Sequence, residues 1–117
     1  MTPQRTYADY LADIIDAIEK LSAFTEGYTY QQFKADEKTC FAVVRALEIV
    51  GEATKNIPIP VRDKFPDIPW RSMAGMRDKL SHQYFGVNIE VVWKTATKEL
   101  PKIKSKLQEI LRNAEKL

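Results

Sequence analysis

In this 117-residue chain, Arg77, Asp78, His82 and Tyr84 are the residues whose types and spacing suit acid–base and anion chemistry. His82 is the only histidine, so it carries any imidazole chemistry the chain performs. An imidazole with an unperturbed pKa of about 6.5 can give or take a proton near neutral pH. Arg77 holds a permanent charge in a planar fork that matches phosphate oxygens. On a helix Asp78, four residues before His82, lies beneath it, and Arg77 and Tyr84, seven apart, also share a face. Proton transfer at a hydroxyl or leaving oxygen, together with stabilisation of a charged phosphorane, are the two capacities that cleavage of RNA without a metal requires. A lone histidine near a helix C-terminus is also a common structural residue, favoured there by the helix dipole. Spacing alone leaves both readings open.

Other chemistries are poorly served. Asp9, Asp13 and Asp16 share a helix face and could present oxygens to a divalent cation, but a solvated face opposite an apolar stripe explains them as well. With one histidine and one cysteine, Cys40, a single chain cannot assemble a transition-metal cluster or pair a disulfide. Gly27, Gly51, Gly75 and Gly86 stand too far apart to build a phosphate-binding nest, which excludes dinucleotide and P-loop chemistry. Neither Cys40 nor Ser81 sits in a recognisable nucleophile motif. No metal and no cofactor are therefore expected. RNA cleavage through a cyclic phosphate needs a base and an acid, whereas one chain offers one histidine. A symmetric dimer bringing His82 and Arg77 of both chains into one cleft would supply two of each.

These side chains need helices to hold them. Length, a 44% apolar fraction and a 29% charged fraction describe an ordinary globular domain, expected to span 1–117 as one unit. Thr2-Pro3 reads as a helix start, with Tyr7, Leu11, Ile14, Ile15, Ile18 and Leu21 at helical spacing until Gly27. Thr29 to Ala35 predicts a short helical turn. Asp36 predicts the cap of a long helix to about Asn56, with Phe41, Val44, Leu47 and Ile49 apolar and Arg45, Glu48 and Glu52 as a polar stripe. Ile57-Pro58-Ile59-Pro60 ends it, and Val61 to Phe65 predicts another turn. Pro69 is placed to begin the helix holding Trp70, Met73, Met76, Arg77, Leu80 and His82, with Gly86 at its end. Asn88 caps a final helix that Pro101 should kink or split. No stretch alternates like a half-buried strand. The expected class is all-α: four or five antiparallel helices.

Charge is uneven along this frame. Residues 1–50 carry five basic against eight acidic side chains, and residues 94–117 carry seven against three. A polyanion is drawn to the C-terminal part, although Lys94, Lys98, Lys102, Lys104 and Lys106 are equally compatible with a solvated helix face. The N-terminus has no signal-peptide pattern, and no apolar run approaches the ~20 residues of a membrane span. A reducing, cytoplasmic location without membrane contact is expected.

The run from Phe65 to Val87, containing Pro69-Trp70 and Arg77-Asp78-Lys79-Leu80-Ser81-His82-Gln83-Tyr84-Phe85-Gly86, resembles the HepT-like toxin family of the HEPN superfamily of helical ribonucleases. That family's signature is arginine, four residues, histidine, one residue, tyrosine; Arg77, His82 and Tyr84 match it, and Asp78 fits the polar position after the arginine. Arg45 to Ala53 resembles the family's second long helix, and Asn88 to Trp93 the start of its last. Ser81 departs from the pattern, standing where a larger aliphatic residue is frequent. The resemblance implies a HEPN-type bundle paired as a homodimer, with the motif at the cleft between subunits. It implies an endoribonuclease toxin with Arg77 and His82 as the catalytic pair, Asp78 supporting them, and RNA cut without a metal. It also implies a cognate MntA-type nucleotidyltransferase antitoxin that transfers AMP to Tyr84. The alternative is a non-catalytic HEPN dimer that binds RNA, a nucleotide or a nucleotidyltransferase partner.

Overall fold

A computed structural model describes the backbone of residues 5–82 and 88–115, and the side chains of those ranges apart from 77–82 and 115. Every regular element among the described residues is helical. They are α1 (Tyr7–Thr25), α2 (Tyr30–Ala35), α3 (Glu37–Lys55), α4 (Ile59–Asp63), α5 (Trp70–His82), α6 (Ile89–Lys94), a π-helical turn (Thr95–Glu99) and α7 (Leu100–Glu115).

Local chemistry sets most of these boundaries. α1 starts at a capping box: the Asp9 amide donates to Thr6 Oγ1 and the Thr6 amide donates to Asp9 Oδ2. Its start is therefore at Tyr7, and Asp9 is committed to the cap; the Thr2-Pro3 start signal lies outside the described residues. Gly27, at φ 79°, turns the chain after α1 in a conformation that disfavours any side chain. Thr29 and Gln32 form a second capping box for α2, and Asp36 Oδ1 accepts from the Thr39 amide to cap α3. The turn expected over Val61 to Phe65 forms two residues earlier, because Pro58 and Pro60 fit a helix's first positions. Pro69 immediately precedes α5 rather than beginning it.

The long helices lie antiparallel. Arg5, Tyr10 and Asp13 from the start of α1 face Ile49, Ala53 and Asn56 from the end of α3, while Tyr28, just past α1, reaches Asp36 at the head of α3. α3 packs on both α1 and α5, and α7 packs on α1. The ion pair Lys104–Glu19, at 3.6 Å, joins α7 to α1.

One core cluster runs through the bundle, with Leu11, Ile14, Ile18, Leu21, Phe33, Val43, Leu47, Val50, Met73, Leu100 and Leu107 closed to solvent. The fold is thus the expected all-α, HEPN-type bundle. Phe41 stands apart from this core, 50% exposed although it fits α3's apolar period. Pro101 does interrupt the last helix, and does so through the π-turn. It has no amide proton to give Thr97, and just before it the Leu100 amide reaches back five residues to Thr95.

Candidate functional site

The residues singled out for chemistry converge on α5, so the first question is what holds that helix. At its start the Trp70 side chain is buried and donates from Nε1 to the Phe65 carbonyl at 3.0 Å. The Trp70 amide donates to the Ile68 carbonyl at 2.8 Å, and Met73 and Ile68 are buried behind it. Below, Arg62 closes the preceding corner. Its Nε donates to the Ile57 carbonyl at 2.9 Å and its Nη2 to the Thr54 carbonyl at 2.8 Å, which also accepts from the Ile57 amide at 3.0 Å. That anchoring role was absent from the sequence reading. The only hint was an arginine shortly after a proline-broken helix.

From this anchor α5 carries the backbone of Arg77, Asp78 and His82 in one uninterrupted helix. Helical phase then fixes their registers. Trp70 and Met73 mark the buried side, and Arg77, four residues beyond Met73, keeps close to that register. His82, nine residues beyond Met73, comes at the register diametrically opposite, with Asp78 one turn before it. Exposed Arg71 and Gly75 precede Asp78 and His82 at spacings of four, three and four, so all of them occupy one stripe of α5. A Cβ built on Gly75 meets nothing within 4 Å, so this stripe is bare helix backbone one turn before Asp78. Along the backbone of α5, Asp78 and His82 therefore share a register one turn apart. The same backbone sets Arg77 roughly 140° around the helix from His82, so the two do not share one register. Tyr84 lies outside the described residues.

The remaining candidates are engaged elsewhere. Asp13 pairs with Arg5 at 2.7 Å and Asp16 with Lys20 at 2.8 Å, while Asp9 caps its helix. Among the described residues no three histidine, cysteine or acidic side chains gather as a metal-ligand set. Arg45 pairs with Glu48 at 3.5 Å within α3, as the polar stripe suggests. Cys40 is buried, donates from Sγ to the Phe33 carbonyl, and has its thiol pKa pushed up by burial and by the nearby charges of Asp36 and Glu37. It is a structural thiol, not a nucleophile.

A depression of about 490 Å³ lies where α4 meets α5, lined by Ile59, Asp63, Pro66, Trp70 and Arg71 among others. It sits at the head of α5, about 18 Å along the axis from His82, and is separate from the motif. Among the described residues no helix is long and apolar enough to cross a membrane.

Comparison with known proteins bears on this arrangement. Residues 14–110 match the family model described as ribonuclease HepT-like. The chain is 50% identical over 107 residues to a protein of Thermococcus cleftensis named "Probable ribonuclease HepT", covering 92% of this chain and 97% of that one. It is 43% identical over 113 residues to a protein of Methanocaldococcus jannaschii named "Putative RNase MJ1216", covering 97% of this chain and 93% of the relative. A similarly named RNase of Caldanaerobacter subterraneus is 43% identical over 107 residues, covering 92% of this chain and 96% of its own length. No solved structure matches at a significant level.

Proposed function

The chain belongs to the HepT-like ribonuclease family, and from that premise we propose that it is an RNA-cleaving toxin whose active site is built on the C-terminal half of α5. The observation that carries the reading is the placement of Arg77, Asp78 and His82 on one helix, anchored at its far end by buried Trp70, within a chain whose relatives are named as ribonucleases. A single HEPN-like domain spanning 1–117 and a cytoplasmic location belong to the same reading.

The chemistry is attack by a 2′-hydroxyl on the adjacent phosphorus. A bond forms between the 2′-oxygen and phosphorus, the bond to the 5′-oxygen breaks, and one proton leaves the nucleophile while another reaches the leaving group. His82 moves protons in this step, and Arg77 stabilises the charge on the phosphorane oxygens. Asp78, one turn before His82 on the same helix, is the supporting residue in this reading. These groups account for the step without a metal or cofactor.

A homodimer completes the site. One chain offers one histidine, and the registers of Arg77 and His82 diverge by roughly 140° around α5. Two copies meeting along the stripe of Arg71, Gly75, Asp78 and His82 would bring both copies of Asp78 and His82 together, and bare Gly75 allows the backbones to approach closely. Tyr84, two residues beyond His82, is the regulatory position in this reading. An AMP placed there by an MntA-type nucleotidyltransferase antitoxin adds bulk and negative charge where a polyanion must bind.

The test is RNA cleavage by purified protein made without antitoxin. His82→Ala and Arg77→Ala are expected to lower cleavage by at least 100-fold while helicity and dimer mass stay unchanged, since each removes a proton-transfer or charge-stabilising group. Tyr84→Phe is expected to keep cleavage and to gain no AMP mass on co-expression with the antitoxin. Wild-type protein that binds RNA and returns it intact would instead support the non-catalytic dimer.

A further inference from the structure

The last helical segment places three lysines in a row that no ion pair among the described residues engages. Val92, Ala96 and Leu100 are buried, four residues apart each time, and Lys94, Lys98 and Lys102 each follow one of them by two positions. Two residues turn a helix by about 200°, so the lysines stand on the side opposite the core. In a regular α-helix a four-residue spacing drifts by about 40° at each step, and both rows would wind around the axis. The π-turn from Thr95 to Glu99 removes part of that drift, because its bonds close over five residues and each turn holds more of them. The buried row stays on the core through the turn, and the lysine row stays in line outside it.

The neighbouring lysines behave differently. Lys20 pairs with Asp16, Lys104 with Glu19 and Lys106 with Glu109. Lys94, Lys98 and Lys102 are exposed and form no ion pair among the described residues, although Glu90 lies one turn before Lys94. A straight row of three unpaired ammonium groups spans about 12 Å of helix. The chain also enters this helix directly from the motif. His82 and Asn88 are six residues apart, at most about 22 Å, and Lys94 lies about 9 Å further along α6.

We propose that Lys94, Lys98 and Lys102 form a phosphate-contact row that holds the backbone of the RNA strand beyond the scissile bond. The inference rests on the ribonuclease reading and adds to it a substrate-holding surface outside the catalytic motif. Its contacts are sequence-independent: each lysine displaces condensed counterions from a single strand, so affinity falls with salt in proportion to the number of phosphates engaged.

The experiment measures binding of a single-stranded RNA of about 20 nucleotides, long enough to span both regions, to full-length His82→Ala protein, which leaves the probe uncut. A variant carrying Lys94→Gln, Lys98→Gln and Lys102→Gln is compared with one carrying Lys20→Gln, Lys104→Gln and Lys106→Gln, which loses equal charge from paired positions. The first is expected to reduce the slope of log affinity against log salt by about 2, so that raising salt from 50 to 200 mM weakens the parent roughly 20-fold more than the variant. The second is expected to change the slope by less than half as much. Equal loss in both variants reduces the effect to net charge and overturns the proposal. An unchanged slope in the first variant, with RNA still bound and the wild type still cleaving, overturns the row and leaves the ribonuclease reading standing. An unchanged slope accompanied by loss of antitoxin binding assigns the row to a protein partner and also overturns it. A wild-type protein that neither binds nor cuts RNA removes both readings.

Discussion

Asp36 shows how much a single side chain is asked to do away from the catalytic motif. Its Oδ2 accepts from the Tyr28 hydroxyl at 2.7 Å and its Oδ1 from the Thr39 amide at 3.1 Å, so it joins the turn after α1 to the head of α3. The Tyr28 hydroxyl, then the Thr39 amide and hydroxyl, hold its pKa below the ordinary carboxylate value. A carboxylate with a depressed folded pKa contributes stability above its unfolded value of about 3.9, and that contribution is lost as pH falls through the folded value. Melting temperature should therefore drop more steeply below pH 4 in the wild type than in Asp36→Asn, with Tyr28→Phe in between. Parallel acid profiles for the three proteins would remove Asp36 from the account. His82 differs in kind: its expected role concerns proton transfer to substrate, and cleavage rather than melting is the readout.

At the scale of elements, α5 is built as an anchored arm. Its head is fixed by Trp70, Met73 and the Arg62 corner, and its register sets Asp78 and His82 in line with exposed Arg71 and Gly75. Gly75 within that stripe is locally unfavourable, since glycine inside a helix costs about 0.5–1 kcal/mol relative to alanine. A Cβ there meets nothing within 4 Å in the single chain. Gly75→Ala should thus stabilise the isolated subunit by about 0.5–1 kcal/mol and, if two copies meet along this stripe, weaken their association. Thermal melting and sedimentation at several concentrations separate the two effects. Tighter or unchanged association in the alanine variant would argue against close approach of α5 to its copy.

For the whole molecule, the decisive feature is that a single core supports every helix that carries the site. Phe33 of short α2 is closed to solvent and packs its ring 5.0 Å from that of Trp93 in α6, whose indole also faces Tyr30 at 6.3 Å. This cluster ties α6, which leads into the lysine row, to α2. Phe33→Ala should cost about 3–5 kcal/mol, measured by denaturant unfolding, and weaken RNA binding only as far as α6 loosens. A cost below about 1 kcal/mol would mean that the cluster is not holding α6.

Much of this was legible in the sequence because the signals are local. Asp36 and Asn88 cap the helices they were read to cap, since a short side chain reaches only the next few amides. Pro101 interrupts the last helix because its ring lacks a donor wherever it falls. The spacing of Asp78 and His82 determined their shared register as soon as one helix covered both. Thr6 with Asp9 caps α1 because the pair closes reciprocally, a signal the apolar spacing alone does not single out. What only the tertiary structure decided concerns burial and direction. It left Phe41 half exposed despite its apolar period, turned Arg62 inward to the end of α3, and made the Pro101 interruption a π-turn that keeps Val92, Ala96 and Leu100 on the core. The packing of α5 against α3 also fixed which side of that helix is buried, and so set the register of His82 opposite the core. A sequence gives the phase between residues on a helix; the neighbouring helix gives that phase its origin.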